Sequence, residues 1–254
     1  MKRVLSPQEA FDFVRSEVSF YEFFKQAWSV LEGGVSFVDN WHIQAIAEHL
    51  EAVYKREIRR LLINVPPRSG KSSLVSVSFP AWVWVHNPYE KFMYSSYNAQ
   101  LSLEHSLNCR RLIESVWYRS RWGDLCAMAS DQNAKGFFEN KSGGYRIATS
   151  VDGGSTGRGA SILICDDPNS VSEENSDVKL EWANSWNSQI WSTRMNNPKD
   201  DCEIVIQQRF NERDISGTII GNDLDDEWVK LILPMDFESS RWSKTAILPS
   251  SKGK

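Results

Sequence analysis

Gly70, Lys71 and Ser72 follow an apolar run from Leu61 to Ile63 and precede a mostly apolar stretch from Leu74 to Trp82. A flexible glycine, a lysine and a serine in that order suit a phosphate cradle. Loop N–H groups and the following helix N-terminus face the phosphates, Lys71 neutralises their charge and the Ser72 hydroxyl ligates Mg²⁺. Val65 stands where the first glycine of such a loop is expected, and Pro66 and Pro67 follow it. Taken alone, Gly-Lys-Ser is as readily a chance turn as a binding loop; the strand before it and the buried helix after it supply the missing context. A second short apolar run, from Ile162 to Cys165, suits a strand buried on both faces and closes on Asp166 and Asp167. Two carboxylates there fit a metal ligand beside a general base. Asp166 is expected to hold Mg²⁺, directly or through water, and Asp167 to orient the attacking water. Aspartate is one methylene shorter than the glutamate more usual at that place, so the water must sit closer to the backbone or another group must assist. The competing reading of Asp166, Asp167 and Pro168 is a strand-ending turn.

The elements around these groups alternate. Ser6, Pro7 and Glu9 mark a helix start, an aromatic-rich helix follows, and Gly33 and Gly34 stop it. A second helix from about Trp41 to Lys55 carries Ile43, Ile46, Ala47, Leu50 and Val53 at helical spacing. Further strands are predicted at Phe92–Ser96, Tyr145–Val151, Glu203–Gln208 and Val229–Leu233, with a helix from Ala99 to about Ser115 and a hairpin turn between Phe137 and Tyr145. Strands alternating with helices predict an α/β fold, a mainly parallel central sheet flanked by helices, with a nucleotide at its carboxyl edge.

Composition narrows the classes. At 254 residues and 41% hydrophobic content, the chain can bury one large core and leaves no room for a second full domain. A net charge of −4 gives no global sign of nucleic-acid binding, so any polyanion contact must come from local basic patches. The four cysteines, Cys109, Cys126, Cys165 and Cys202, lack metal-ligand spacing and read as reduced structural thiols. No apolar run has transmembrane length, and Glu9, Asp12, Arg15 and Glu17 break any signal peptide. A soluble, intracellular protein is expected.

In order along the chain, these segments resemble the large terminase subunits of tailed bacteriophages or prophages, the ATPases that package DNA into procapsids. The resemblance runs from about Asp39 to Gly217. Trp41, His42, Ile43 and Gln44 resemble the family's adenine-side motif, which implies that Gln44 reads the adenine edge. Pro66 to Ser72 is similar to its deviant Walker A loop, implying nucleotide contacts from Pro67, Arg68, Ser69, Gly70, Lys71, Ser72 and Ser73. Gly153 to Ala160, running into Ile162 to Pro168, resembles the glycine-rich approach and acidic end of its Walker B region. Gln207, Gln208 and Arg209 resemble the coupling motif, in which a polar residue after a core strand senses the γ-phosphate; either glutamine fits that role. The resemblance thus implies a P-loop NTPase of the additional-strand type with ATP and Mg²⁺ as ligands. It implies double-stranded DNA, a portal protein and a small terminase subunit as partners, and a ring, a pentamer when assembled, from a chain often monomeric in isolation. It places the protein in the host cytoplasm and transiently at the procapsid portal. Family members commonly add a C-terminal nuclease domain. Residues 1–40 read as an N-terminal helical segment, 41–237 as the ATPase core and 238–254 as a linker or tail too short for that domain, so an isolated ATPase domain, or a prophage remnant, without cutting activity is expected.

Two arginines compete to stabilise transition-state charge: Arg68 inside the phosphate loop, the cis candidate that the resemblance implies, and Arg158 in the glycine-rich stretch, which either reaches its own site or a neighbour's or is a solvated loop charge. Lys55, Arg56, Arg59 and Arg60, and later Arg110, Arg111, Arg119 and Arg121, could touch DNA phosphates, although such sets more often form solvated helix faces. Trp28, Trp82, Trp84 and Trp186 lie among apolar neighbours and are read as packing groups rather than base-stacking ones; the four histidines, His42 among them, show no paired metal spacing and are read likewise. A helicase-like translocase and an ATP-binding scaffold with little turnover remain the alternative functions.

Overall fold

The computed structural model describes residues 6–151, 153, 157–170, 176–224 and 227–235. The tail from 238 and the Gly154–Thr156 part of the glycine-rich approach lie outside these residues. In chain order the elements are α1 (Pro7–Val18), α2 (Phe20–Leu31), α3 (Trp41–Tyr54), β1 (Arg60–Asn64), a π-helical turn (Ser73–Ser78) running into α4 (Phe79–His86), β2 (Phe92–Ser96), α5 (Ala99–Glu114), α6 (Val116–Trp122), β3 (Met128–Asn133), β4 (Phe137–Asn140), β5 (Tyr145–Ser150), β6 (Ile162–Asp166), α7 (Asp177–Trp186), β7 (Cys202–Gln207), α8 (Ile215–Asn222) and β8 (Val229–Ile232). The mixed α/β architecture therefore holds eight α-helices and one eight-stranded sheet among the described residues.

The sheet order is β3-β4-β5-β2-β6-β7-β1-β8. All pairings from β5 to β8 are parallel, and only β3–β4 and β4–β5 are antiparallel. Strand β7 is wedged between β1 and β6, with Ile63 opposite Ile206 and Asp166 opposite the same Ile206. Because side chains alternate along a strand, the sheet feeds two cores. Leu61, Ile63, Ile164, Ile204 and Ile206 pack with α2 to α5, while Leu62, Leu163, Cys165 and Val205 pack with α7 and α8. Trp82, Trp84 and Trp186 are buried in these cores, as their apolar neighbours predicted. The four cysteines are free thiols, all buried.

One helix expected before Gly33 is in fact two. Ser19 takes an extended conformation (φ −124°, ψ 124°), ends α1 and caps α2 by accepting from the Glu22 N–H, which a serine does more cheaply than it propagates a helix. The α1 start has the expected capping box, with Ser6 and Glu9 each accepting from the other's N–H. The predicted hairpin turn lies between β4 and β5, with Gly143 at φ 91°.

Candidate functional site

Strands β1, β6 and β7 all deliver their carboxyl ends to one edge, and the sequence-predicted groups gather there. After β1 the chain enters the loop from Val65 to Lys71, in which Arg68 (φ 60°) and Gly70 (φ 76°) both adopt left-handed backbone. A Cβ on Gly70 would meet nothing within 4 Å, so glycine is favoured there by conformation and not by crowding. The Gly70 carbonyl accepts from the Leu74 N–H at 3.0 Å and opens the helical segment. Lys71 is thereby turned inward, and its Nζ lies 2.7 Å from Asp167 Oδ2, with the two side chains only 9% and 24% exposed.

Asp167 follows β6 with φ 47°, a third left-handed position at this edge and a strained one for a residue with a side chain. Its other oxygen, Oδ1, accepts from the Gln208 N–H at 3.0 Å. One carboxylate thus ties the Val65–Lys71 loop to the segment after β7. Asp166 is 1% exposed. Its Oδ2 accepts from the Ser76 hydroxyl at 2.5 Å and lies 3.5 Å from His105 Nδ1, whereas Oδ1 is buried with no partner. Burial raises the pKa of Asp166, and Ser76, Lys71 and Ser72 pull it back. For Asp167, burial and then the neighbouring Asp166 charge raise the pKa, while Lys71 lowers it. Burial, then the nearby Arg146 charge, lowers the His105 pKa to about 4, so at pH 7 the ring is neutral and its contact with Asp166 is not an ion pair.

Buried polar atoms lack protein partners at several points of this edge: Ser69 Oγ in the loop, Asp166 Oδ1, and both amide atoms of Gln207. Such atoms are costly unless a ligand or water meets them. Among the described residues no group of three or more His, Cys, Asp or Glu could hold a metal ion. A Mg²⁺ bound by one carboxylate, a hydroxyl and substrate phosphates needs none, and the free Asp166 Oδ1 with Ser72 beside it fits that requirement.

The other predicted residues distribute unevenly. Gln207 is on the Val205 face of the sheet with Asn64, whose amide donates to Ser216 Oγ at 2.8 Å, so its side chain leaves the sheet on the side away from Asp166; Gln208, through its backbone, touches Asp167. Arg209 pairs with Asp214 at 3.7 Å. Pro67 and Arg68 are exposed at the loop tip. Gln44 is exposed on α3 and donates to Glu48 at 2.8 Å; it is His42, read from sequence as a packing residue, that touches the loop, where the Ser69 carbonyl accepts from its Nε2 at 3.1 Å. Arg158 stands before the amino end of β6, with its guanidinium 4.2 Å from the Phe137 ring centre. The five residues of β6, roughly 16 Å of strand, separate it from the carboxyl edge, and parallel topology forbids its joining Lys71 in the same chain without rearrangement. Of the basic sets, Arg56 pairs with Glu90 at 2.8 Å, Arg59 donates to the Lys199 carbonyl at 2.7 Å, Arg60 pairs with Glu227, and Arg121 lies over Trp117 at 5.0 Å; these are structural engagements.

Sequence reasoning also missed Ser76, His105 and Arg146. Ser76 stands four residues after Ser72, one helical turn on, a spacing that could have flagged it. Nothing in the sequence pairs Arg146 with it.

No model of a known protein family matches the chain, and no curated protein matches it. Seven chains of solved structures match. Among them, the crystal structure of the HK97 bacteriophage large terminase superposes with a TM-score of 0.58 at 13% sequence identity, covering 87% of this chain and 45% of that one. The chain thus has a terminase-like fold and spans less than half the length of that protein. No helix of the described residues is long and apolar enough to cross a membrane.

Proposed function

We propose that this chain is the ATPase domain of a viral DNA-packaging motor, a P-loop NTPase of the additional-strand type that hydrolyses ATP to translocate double-stranded DNA. The observation that carries the reading is the meeting of Lys71 with Asp167 across a sheet in which β7 stands between the loop-bearing and acid-bearing strands. The terminase-like fold supports it. Pro67 shapes the loop, N–H groups from Arg68 to Ser73 cradle the phosphates, Lys71 leaves Asp167 to neutralise them, and Gln44 reads the adenine edge. Ser72 and Asp166 would hold Mg²⁺, which when bound would supply positive charge against the phosphates. Asp167, released from Lys71 and still held by the Gln208 N–H, orients the attacking water and accepts its proton. Arg68 stabilises the transferring group in cis, leaving Arg158 a role only toward a neighbouring subunit. Gln207, Gln208 and Arg209 pass the loss of γ-phosphate onward through α8. Portal protein, small terminase subunit and a pentameric ring are the partners of this reading, and the host cytoplasm and procapsid portal its location.

Steady-state ATP hydrolysis with Mg²⁺ tests it. The native chain should turn over ATP and be stimulated by double-stranded DNA, and Lys71→Ala and Asp167→Asn should each lose turnover. Equal rates in all three chains would sink the assignment. Binding without turnover in the native chain would favour the scaffold alternative.

A further inference from the structure

Resting on that reading, we infer that Arg146 and Ser76 are positioning residues for the metal-binding carboxylate. Arg146 clamps the wide turn behind the phosphate loop, and Ser76 on that turn pins one oxygen of Asp166 so that the other faces the metal.

The turn from Ser73 to Ser78 is π-helical, and the Phe79 N–H bonds the Leu74 carbonyl five residues back. Such turns are rare and frequently lie at functional sites, and this one has support from outside the helix. Two sheet side chains provide it. The Tyr94 hydroxyl donates to the Val75 carbonyl at 3.2 Å, and Arg146 Nη2 donates to the Ser76 carbonyl at 3.3 Å. The Arg146 guanidinium also lies 3.8 Å from the Tyr94 ring centre, so β2 and β5 grip adjacent carbonyls as one unit. The gripped residue is the one whose hydroxyl donates to Asp166 Oδ2. With Oδ2 also facing His105, the carboxylate is fixed in rotation and only Oδ1 remains unpartnered.

Stability does not explain this arginine. Arg146 is fully buried, and its Nε and Nη1 have no partner. A buried, half-satisfied cation costs more than an apolar residue of similar size. Its return is positional: hydrogen-bond partners behind a metal ligand orient it, and their loss typically weakens metal binding 10–100-fold.

Mn²⁺ in place of Mg²⁺, with a non-hydrolysable ATP analogue, gives an equilibrium titration by electron paramagnetic resonance that needs no turnover. Ser76→Ala and Arg146→Met should each raise the Mn²⁺ dissociation constant by about 10-fold or more. Binding of the analogue in EDTA should stay unchanged, and urea unfolding should show a folded chain. If Arg146→Met does not fold, Ser76→Ala, which removes a single oxygen, decides. Folded variants that hold Mn²⁺ with the nucleotide as tightly as the native chain would overturn this inference alone. A native chain that binds neither would overturn the proposed function and this inference with it.

Discussion

Without nucleotide, the ion pair between Lys71 and Asp167 is predicted to be a main electrostatic support of the loop. At 2.7 Å and an effective dielectric constant of about 20, Coulomb attraction is about 6 kcal/mol. Desolvation of both ions and the 24% exposure of Asp167 take back much of it, leaving a coupling of about 2–3 kcal/mol. Lys71→Met strands two adjacent buried carboxylates and should cost about 3–5 kcal/mol. Asp167→Asn keeps an acceptor for the Gln208 N–H and leaves Lys71 beside Asp166, so its cost should be about 1 kcal/mol. The double variant should then be less destabilised than the sum by the coupling. Urea unfolding of the four chains without nucleotide reads this directly. Additivity to within about 0.5 kcal/mol would refute the pairing. Under the proposed function the same energy would oppose ATP, whose phosphates would have to take Lys71 from Asp167. Asp167→Asn should therefore bind ATP up to about 30-fold more tightly if 2 kcal/mol is recovered, while failing to hydrolyse it.

Glu203, buried on β7 with Oε1 unpartnered, has its pKa raised by burial to about 7 from 4.5. A raised carboxyl pKa means stability that is full below 4.5 and is lost as pH climbs to about 7; at about 1.36 kcal/mol per pH unit, Glu203→Gln should gain at most about 3 kcal/mol at pH 8 and nothing at pH 4, as chemical denaturation at the two values would show. Gly70→Ala meets no neighbour but forces a side chain into left-handed backbone, so it should cost about 1–2 kcal/mol in thermal unfolding and weaken ATP binding measured by calorimetry. Asp214 caps α8 by accepting from the Gly217 N–H at 2.7 Å, and it also faces Arg209; Asp214→Ala should cost about 2 kcal/mol, with faster amide exchange in residues 209–217 as the local signature.

Much of the fold was legible because its central strands are short apolar runs that admit few other readings. Leu61 to Ile63, Phe92 to Ser96 and Ile162 to Asp166 lie in β1, β2 and β6. Strand β3 carries Met128, Ala129, Ser130, Asp131, Gln132 and Asn133; with no apolar alternation, it owes its place to pairing with β4 and not to its own pattern. Helix α7 leaves Val178 and Trp182 exposed, and α6 has seven residues, so neither shows a clean stripe. At the candidate site, the meeting of Lys71 with the Asp166–Asp167 strand end was legible because each lies in a loop or at the end of a clear strand. His42, Ser76 and Arg146 were not, since each acts through a partner distant in sequence, as Arg146 does on the Ser76 carbonyl. The place of Arg158 over the Phe137 ring was not legible, because a glycine-rich flank says nothing of which end of a strand it adjoins.

Burial lifts the thiols of Cys109, Cys126 and Cys202 to about 12, 11 and 11, and that of Cys165 well above its ordinary value. Only a thiolate is alkylated, so each sulfur is silent until its own element opens. Cys109 sits on α5, Cys126 beyond α6, Cys165 beside the acidic pair and Cys202 at the start of β7. The chain therefore carries four native chronometers, spread over both cores, whose labelling rates would time the breathing of each region without a single introduced probe.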